Sequence, residues 1–277
     1  MSKKAAVLGN RGVVSVSGAD AAGFLQGLLT NDIEGLDPGE AHYAALLTPQ
    51  GKILFDRIVV RAPDADGAAY LLDCAAAQAP ELARRLGFYK LRAKVTIADV
   101  SAGRAVAAFW GGEPAAIEGA LIYADPRDRR LGWRAILPRP TAGAIGAEHV
   151  NEYEGLRIGA VAPTGGLDFA YGDAFPHDVN LDLLHGVDFD KGCYVGQEVV
   201  SRMKHRGTTR RRIVRVKLAG PPPAPGAPIV DRELAVGVLG SSSGREALAL
   251  LRLDRVEDAA ANGRTLSAGG VGLTIAE

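Results

Sequence analysis

Cys193 is the residue of this sequence whose type and surroundings most favour chemistry. It lies between Gly192 and Gly196, close to Lys191, and apolar residues at helical spacing follow from Val199 onward. The two glycines permit sharp backbone turns, and the first amides of a helix beginning near Gly196 direct positive partial charge towards the loop. Such surroundings lower the pKa of a thiol and raise its reactivity. The spacing is therefore compatible with a reactive thiolate.

The residues alone leave a second interpretation of Cys193 open. Many cysteines are small buried apolar residues, and Lys191 would then be an ordinary surface charge. The other cysteine, Cys74, ends an apolar segment and needs no role beyond packing. Two cysteines are too few for a disulfide framework, and neither they nor the histidines have the compact spacing of a metal site. No metal site held by this chain alone is predicted.

The composition indicates a folded protein without a strong overall field. The 277 residues include 32 Lys+Arg and 32 Asp+Glu, so the formal net charge is zero and no global field steers the chain towards nucleic acid. No apolar run reaches the roughly 18 residues that span a membrane, and the apolar patch after Lys4 is too short for an export signal. We therefore expect a cytoplasmic protein without a membrane partner.

The patterns of strand and helix follow no regular βαβ order, which predicts an α+β fold. Residues 43–48 and 53–61 read as two strands joined by a Pro-Gln-Gly-Lys turn, which predicts a β-hairpin. Residues 149–158 have helical spacing. Short strand-like runs separated by Gly and Ser follow the proline-rich segment 221–226, and a small antiparallel barrel or sandwich is predicted from about Arg210 onward.

A long motif in the second half of the chain resembles a family signature. The segment KGCYVGQE, residues 191–198, closely resembles the K-G-C-[FY]-x-G-Q-E signature of the YgfZ family, which is related to the GcvT aminomethyltransferase of the glycine cleavage system. The segments VSGAD at 16–20, LLTPQGKI at 46–53 and FPHDVNL at 175–181 are also similar to that family. The resemblance extends over nearly the whole chain.

The resemblance implies a three-domain, aminomethyltransferase-like folate-binding fold around a central channel, with a small C-terminal β-barrel. Residues 1–48 and 146–208 would form a discontinuous folate-binding core domain. Residues 49–145 would form a ferredoxin-like α+β domain, and residues 209–277 the barrel.

The resemblance also implies that tetrahydrofolate binds in the channel. Two aromatic positions face the folate in the family. The second matches Tyr153, and the first falls near Arg11, whose guanidinium can also stack on a planar ring. A pterin needs a flat face and partners for its edge, and the glutamate tail of folate needs a cation. Tyr194, Asn180 and Arg202 have the residue types for these contacts, and Lys191 is an alternative cation.

The family supports 4Fe–4S enzymes and some tRNA-thiolating enzymes, and the resemblance implies a similar accessory role here. Cys193 and Lys191 are the predicted reactive residues, and Cys193 could act as a transient cluster ligand that a partner completes. The expected partners are iron–sulfur client enzymes or cluster-assembly proteins. The remaining motif residues are expected to hold and orient the loop: Gly192, Gly196, Gln197 and Glu198.

Two other functions remain open from the sequence. A folate-dependent aminomethyltransferase is one, but the block that matches its acidic pair keeps only Asp56, which is expected to form a solvated surface pair with Arg57. RNA binding is the other, because Arg and Lys are dense from Arg202 to Lys217. That stretch has no aromatic residue for base stacking. We expect no classical catalytic activity.

Overall fold

The computed structural model describes residues 3–63, 69–207 and 209–276. These residues form a five-stranded sheet, a four-stranded sheet and a closed six-stranded barrel. The strands in chain order are β1 (Lys4–Val7), β2 (Arg11–Ser17), β3 (Ala41–Leu47), β4 (Ile53–Arg61), β5 (Ala69–Ala75), β6 (Thr96–Asp99), β7 (Arg104–Trp110), β8 (Leu121–Ala124), β9 (Trp133–Pro138), β10 (Arg211–Leu218), β11 (Pro228–Asp231), β12 (Leu234–Ser243), β13 (Glu246–Arg252), β14 (Leu266–Ala268) and β15 (Val271–Ile275). The helices are α1 (Ala21–Gln26), α2 (Ala79–Lys90), α3 (Arg139–Ala142), α4 (Val150–Gly159), α5 (Gln197–Arg206) and α6 (Leu253–Ala261).

The first two sheets pack face to face. Their strand orders are β3-β4-β5-β2-β6 and β1-β7-β9-β8. One core cluster takes apolar residues from both, among them Ile58 of β4, Val106 of β7 and Ile136 of β9. The other face of the five-stranded sheet is covered by α1 and α2, which contribute Leu25 and Leu82 to a second cluster. The five-stranded sheet is therefore buried on both faces.

The predicted β-hairpin is confirmed as β3 and β4. Its turn places Gly51 at φ +79°, where a glycine avoids the steric cost of a side chain. Because β3 and β4 pair directly, the five-stranded sheet crosses the predicted domain boundary between residues 48 and 49. In addition, β1 pairs with β7. The sheets therefore do not follow the predicted segments 1–48 and 49–145.

Burial on both faces overturns the prediction of a solvated Asp56–Arg57 pair. Neighbouring residues of a strand point to opposite faces, and these two side chains are 4% and 0% exposed. Asp56 accepts hydrogen bonds from the hydroxyls of Tyr43 and Tyr171. Arg57 Nη2 donates to Phe55 O, whereas Nε and Nη1 of Arg57 have no partner among the described residues. Burial lowers the pKa of Arg57 to about 10.

Helix α4, which confirms the helix predicted for residues 149–158, connects the sheets to the barrel. Its Tyr153 and Ile158 pack in the core between the sheets. On another side of the helix, Arg157 Nη2 donates to Ser241 Oγ of β12 at 2.6 Å. Arg157 and Ser241 both donate to the carboxylate of Asp168. These buried polar contacts fix the barrel, whose closure confirms the C-terminal prediction. Each helix that the structure describes is too short or too polar to span a bilayer.

Candidate functional site

Cys193 is a free, exposed cysteine in the loop that precedes α5. The helix begins at Gln197 with Gly196 as its N-cap residue, which confirms the helix start predicted from the sequence. On the other side of Cys193, the carboxylate of Asp188 accepts the backbone amides of Asp190 and Lys191 at 2.8 and 3.2 Å. The thiol is therefore presented to solvent by a loop with fixed ends.

Lys191 fixes the first end of this loop. Its ammonium donates to three backbone carbonyls that follow or end α1, those of Gln26, Leu29 and Asn31, at 2.7 to 2.8 Å. Burial lowers the pKa of Lys191 to about 8, although Asp32 and other nearby carboxylates act in the opposite direction. Lys191 is close to Cys193 in the sequence. In the structure its ammonium is hydrogen-bonded to backbone carbonyls. Lys191 is therefore a positioning residue.

Gly196 fixes the second end against the turn of the β3–β4 hairpin. It adopts φ +84°, and a Cβ atom built there would lie 2.6 Å from Thr48 O and 3.2 Å from Gly51 Cα. A Cβ on Gly51 would in turn lie 2.9 Å from Val199 Cβ of α5. Two backbones approach each other at this point because both residues are glycine. Gly192, by contrast, has open space where a Cβ would lie.

A buried network of charges lies between the two sheets. Asp73 of β5 accepts Arg11 Nε of β2 at 2.6 Å and Arg134 Nη1 of β9 at 2.5 Å. Arg134 Nε also donates to Asp125, which forms a second ion pair with Arg127. All five side chains are at most 11% exposed. The network joins the five-stranded sheet to the four-stranded sheet.

The carboxylates of this network are held ionised. Burial alone raises the pKa of Asp73, but Arg11 and Arg134 outweigh burial and bring the pKa below its ordinary value. The same balance, with Arg127 and Arg134 as the cations, lowers the pKa of Asp125. Paired charges of this kind are stable in a low-dielectric interior only as a complete set.

Tyr153 and Arg11, the two positions predicted to face folate, both belong to this network. The Tyr153 hydroxyl accepts Arg134 Nη2 at 3.0 Å, and its side chain is 1% exposed. Arg11 also donates through Nη2 to the backbone carbonyl of Asp73 at 2.7 Å. Neither side chain lines any of the cavities described below. In this structure the contacts of both residues are structural.

Three adjoining cavities meet at Pro126, which lines all of them, and together they are called the Pro126 cleft. Their volumes are about 720, 750 and 360 Å³. Of the five residues predicted to bind folate, Asn180 alone lines the cleft, in the 750 Å³ cavity. The exposed Arg129 and Arg130 line the same cavity. The guanidinium of Arg130 pairs with Asp128 at 2.7 Å.

His177, which lines the 720 Å³ cavity, has a buried nitrogen without a partner among the described residues. His177 is 4% exposed and lines this cavity, and its Nδ1 has no hydrogen-bond partner among the described residues. Burial lowers the pKa of His177, so the ring is neutral near pH 7. Phe189 lines the same cavity at a centroid distance of 6.1 Å from the His177 ring. The Lys204 ammonium lies 3.6 Å from the centre of the Phe189 ring, so the cavity brings an aromatic ring, a cation and a neutral imidazole together.

The cavity is bounded by both flanks of the Cys193 loop. Asp188 and Asp190 line it on the N-terminal side, and Met203 and Lys204 line it from α5. Cys193 itself is absent from the lining. A molecule bound in the cavity would therefore contact the supports of the loop and leave the thiol exposed.

The remaining predicted residues have other surroundings. Tyr194 is 7% exposed in the core between the sheets, where burial raises the pKa of its hydroxyl to about 12. Arg202 and Glu198 form an exposed ion pair one helical turn apart on α5. Gln197 is partly buried in the first turn of α5. Arg202 lines none of the three cavities of the Pro126 cleft.

Sequence reasoning missed Asp73, Asp125 and Arg134. The signal was present for two of them, because Asp73 and Arg134 interrupt otherwise apolar strands. A charge inside such a strand predicts a buried partner. The identity of that partner depends on how strands far apart in the sequence pack together, which local patterns do not show. Within the described residues, no group of three or more His, Cys, Asp or Glu side chains could hold a metal ion.

Two family models match the chain. Residues 8–139 match the GCVT N-terminal domain, and residues 210–277 match the C-terminal β-barrel domain of CAF17. The structure resembles that of the glycine cleavage system aminomethyltransferase T from Bartonella henselae with a TM-score of 0.77, over 99% of this chain and 85% of that chain, at 19% sequence identity. The fold is that of an aminomethyltransferase with a CAF17-type barrel, as the sequence predicts.

Relatives with higher identity define the family. The iron–sulfur cluster assembly factor IBA57 homolog of Mycosarcoma maydis is 39% identical over 79% of this chain, which spans 59% of that protein. The iron–sulfur cluster assembly factor IBA57 of Mus musculus is 34% identical over 90% of this chain, which spans 78% of that protein. The chain belongs to the family of the IBA57 proteins, within the YgfZ/CAF17 family that its motif indicates.

The predicted cytoplasmic location is wrong, because both relatives are named as mitochondrial proteins. Composition and the lack of a spanning segment suit a mitochondrial compartment equally well. The features on which the prediction depended could not distinguish the two locations.

Replacing Gly196 by Ala is expected to lower the free energy of unfolding by about 2–4 kcal/mol, because the new side chain meets both a positive φ and the Thr48 carbonyl. Gly192→Ala is the matched control in the same loop, and it is expected to change stability by less than about 0.5 kcal/mol. Urea denaturation measures the free energy of unfolding of both variants. Equal effects of the two substitutions would contradict the docking of the loop on the hairpin.

Asp73→Asn is expected to lower the free energy of unfolding by about 3–5 kcal/mol at pH 7, because it leaves the buried Arg11 without its carboxylate and Arg134 with only one of its two. Since the folded pKa of Asp73 is depressed, its ionic stabilisation is present above its ordinary pKa near 4 and is lost as the pH falls through the folded value. The difference between wild type and variant should therefore shrink at acidic pH.

The control for this experiment is Asp254→Asn, which removes an exposed ion pair with Arg252. Solvent screens that pair, so the substitution should scarcely change stability. Chemical denaturation of the wild type and both variants at pH 7, 4 and 3 gives the stability differences to be compared. A difference for Asp73→Asn that stays constant or grows below pH 4 would show that Asp73 is not ionised in the folded state.

Proposed function

We propose that this chain is an accessory factor for the assembly, repair or maintenance of iron–sulfur enzymes, and that the Cys193 thiol is its working group. The observation that carries the proposal is the exposed thiol on a loop whose two ends are fixed, by Lys191 on one side and Gly196 on the other. The names of the relatives, which are iron–sulfur cluster assembly factors, support the same role.

The thiol acts as a ligand for a cluster that a partner shares. A thiolate is a soft ligand suited to iron–sulfur clusters. One cysteine supplies one of the usual four ligands, so the partner provides the others. The 4Fe–4S cluster is the cargo of this step, and the partners are client enzymes or cluster-assembly proteins. tRNA-thiolating enzymes that carry such clusters would be served indirectly.

Tetrahydrofolate is the proposed ligand of the Pro126 cleft. The rings of His177 and Phe189, which line the 720 Å³ cavity together, suit contacts with the planar pterin. The exposed Arg129, in the adjoining cavity with Asn180, suits the carboxylates of a glutamate tail. This placement differs from the sequence prediction. Tyr153 and Arg11 are hydrogen-bonded within the buried charge network, and Tyr194 is buried in the core. A bound folate would stiffen the flanks of the Cys193 loop.

Cys193→Ser is expected to abolish the support of 4Fe–4S enzymes in cells that lack the native protein, because a hydroxyl is a poor iron ligand. Cys74→Ser is the matched control, since Cys74 is 1% exposed and packs in the core. Enzyme activity and protein level are measured together in each strain. Full rescue by the Cys193→Ser variant would eliminate the thiol from the proposed mechanism.

Tetrahydrofolate is expected to bind saturably in a calorimetric titration. Arg129→Ala should weaken the affinity about tenfold, the usual effect of removing a charge-assisted contact. Arg202→Ala should leave it unchanged, because Arg202 pairs with Glu198 outside the cleft. If Arg202→Ala alone weakens binding, the ligand lies where the sequence predicts it. An absence of heat at millimolar folate would remove folate from the proposal.

A further inference from the structure

Two large apolar side chains stand exposed at the C-terminal end of α2. The inner face of this helix is buried through Leu82 and Leu86. On the outer face, Phe88 is 61% exposed and Leu91, which follows the helix, is 90% exposed. An exposure of 90% means that Leu91 protrudes from the protein and lies in no groove of its own chain. The interior of the protein therefore does not explain these two residues.

The backbone at Leu91 is strained. Leu91 adopts φ +43° and ψ −105° at the C-cap position, a region that glycine occupies readily and a leucine rarely does. Strain of this kind persists when other interactions compensate for it, and it is concentrated at functional positions. Here the exposed leucine side chain gains no packing within the chain. A backbone hydrogen bond from Ala93 N to Lys90 O, at 2.7 Å, holds this turn and does not involve the leucine side chain.

Cations surround the two apolar side chains. Lys90, Arg92 and Lys94 are exposed, and none of them forms an ion pair with the described residues. The guanidinium of Arg84 lies 5.0 Å from the centre of the Phe88 ring and pairs with Glu81.

The helix dipole and a nearby carboxylate explain only part of the charge on this surface. The dipole of α2 favours cations at its C-terminal end, which explains Lys90 but not the exposed leucine. A nearby carboxylate, Asp20, accepts the backbone amide of Lys94 at 2.7 Å, so the surface is not purely basic. An excess of positive charge around the apolar side chains remains.

We propose that this end of α2 docks on the surface of an anionic phospholipid bilayer. Phe88 and Leu91 enter the boundary between headgroups and acyl chains, while Lys90, Arg92 and Lys94 contact the phosphates. Apolar side chains on one side and cations around them are the features of peripheral membrane binding. Two protruding side chains suit a deformable lipid surface better than the fixed pocket of a protein partner. The sequence predicts no membrane partner because it has no apolar run long enough to span a bilayer. Binding at the bilayer surface does not need such a run.

Sedimentation of the whole 277-residue chain with vesicles tests the proposal. Vesicles of phosphatidylcholine and phosphatidylglycerol should bind the protein, pure phosphatidylcholine vesicles should bind it at least about tenfold less, and added salt should weaken the binding. The double substitution Phe88→Ser, Leu91→Ser should lower the partition coefficient at least about tenfold. Leu234→Ser is the control, because Leu234 is 49% exposed on the barrel, and it should have no effect.

Leu91→Gly separates docking from folding. Glycine relieves the strained φ and removes the inserted side chain, so this variant should melt at a higher temperature and yet bind anionic vesicles more weakly. Equal binding by the wild type and the double variant would overturn the proposal, as would a failure of the wild type to bind. The wild type could also fail to bind vesicles but be retained by immobilised polyglutamate, with retention lost in the Phe88→Ser, Leu91→Ser variant. In that case the surface binds an acidic protein partner and the lipid proposal is wrong.

Discussion

The ion pair between Asp73 and Arg134 is the interaction on which the arrangement of the two sheets depends. Asp73 belongs to the five-stranded sheet and Arg134 to the four-stranded sheet, and neither is more than 3% exposed at the side chain. Removing such charges from water costs several kcal/mol for each ion, which only close contacts of good geometry can offset. Arg11, Asp125 and Arg127 complete those contacts. The two sheets therefore have one relative position in which all five charges are paired.

This network also determines where a ligand can bind. It fills the interior position at which the family resemblance places a ligand, and it engages Tyr153 and Arg11 in hydrogen bonds. The open volume lies instead around Pro126, next to Asp125 and Arg127 at the edge of the network. The same region reaches the flanks of the Cys193 loop. The charges that hold the sheets together thus separate the packed interior from the cleft that is open to a ligand.

Local patterns in the sequence were sufficient for much of the fold. The β3–β4 hairpin, α4, the start of α5 and the barrel each follow from periodicity and turn residues within a short window. The KGCYVGQE motif identified the family and an exposed cysteine within it. Asp56 and Arg57 show where this reasoning fails, because the apolar residues on both faces of β4 indicate burial but not which elements cover each face. The carbonyl partners of Lys191 lie about 160 residues away in sequence and could not be deduced from spacing.

The three carbonyls around Lys191 act as a cradle for a single cation. They converge on one nitrogen from the last residue of α1 and the residues after it, so they select a compact head with three donors on one atom. An arginine carries the same charge, but its donors spread over a planar fork that suits paired carboxylate oxygens. The lysine of the motif is therefore specified by the shape of its charged group rather than by charge alone. Its hydrogen bonds connect the end of the first helix of the chain to the loop that presents the thiol.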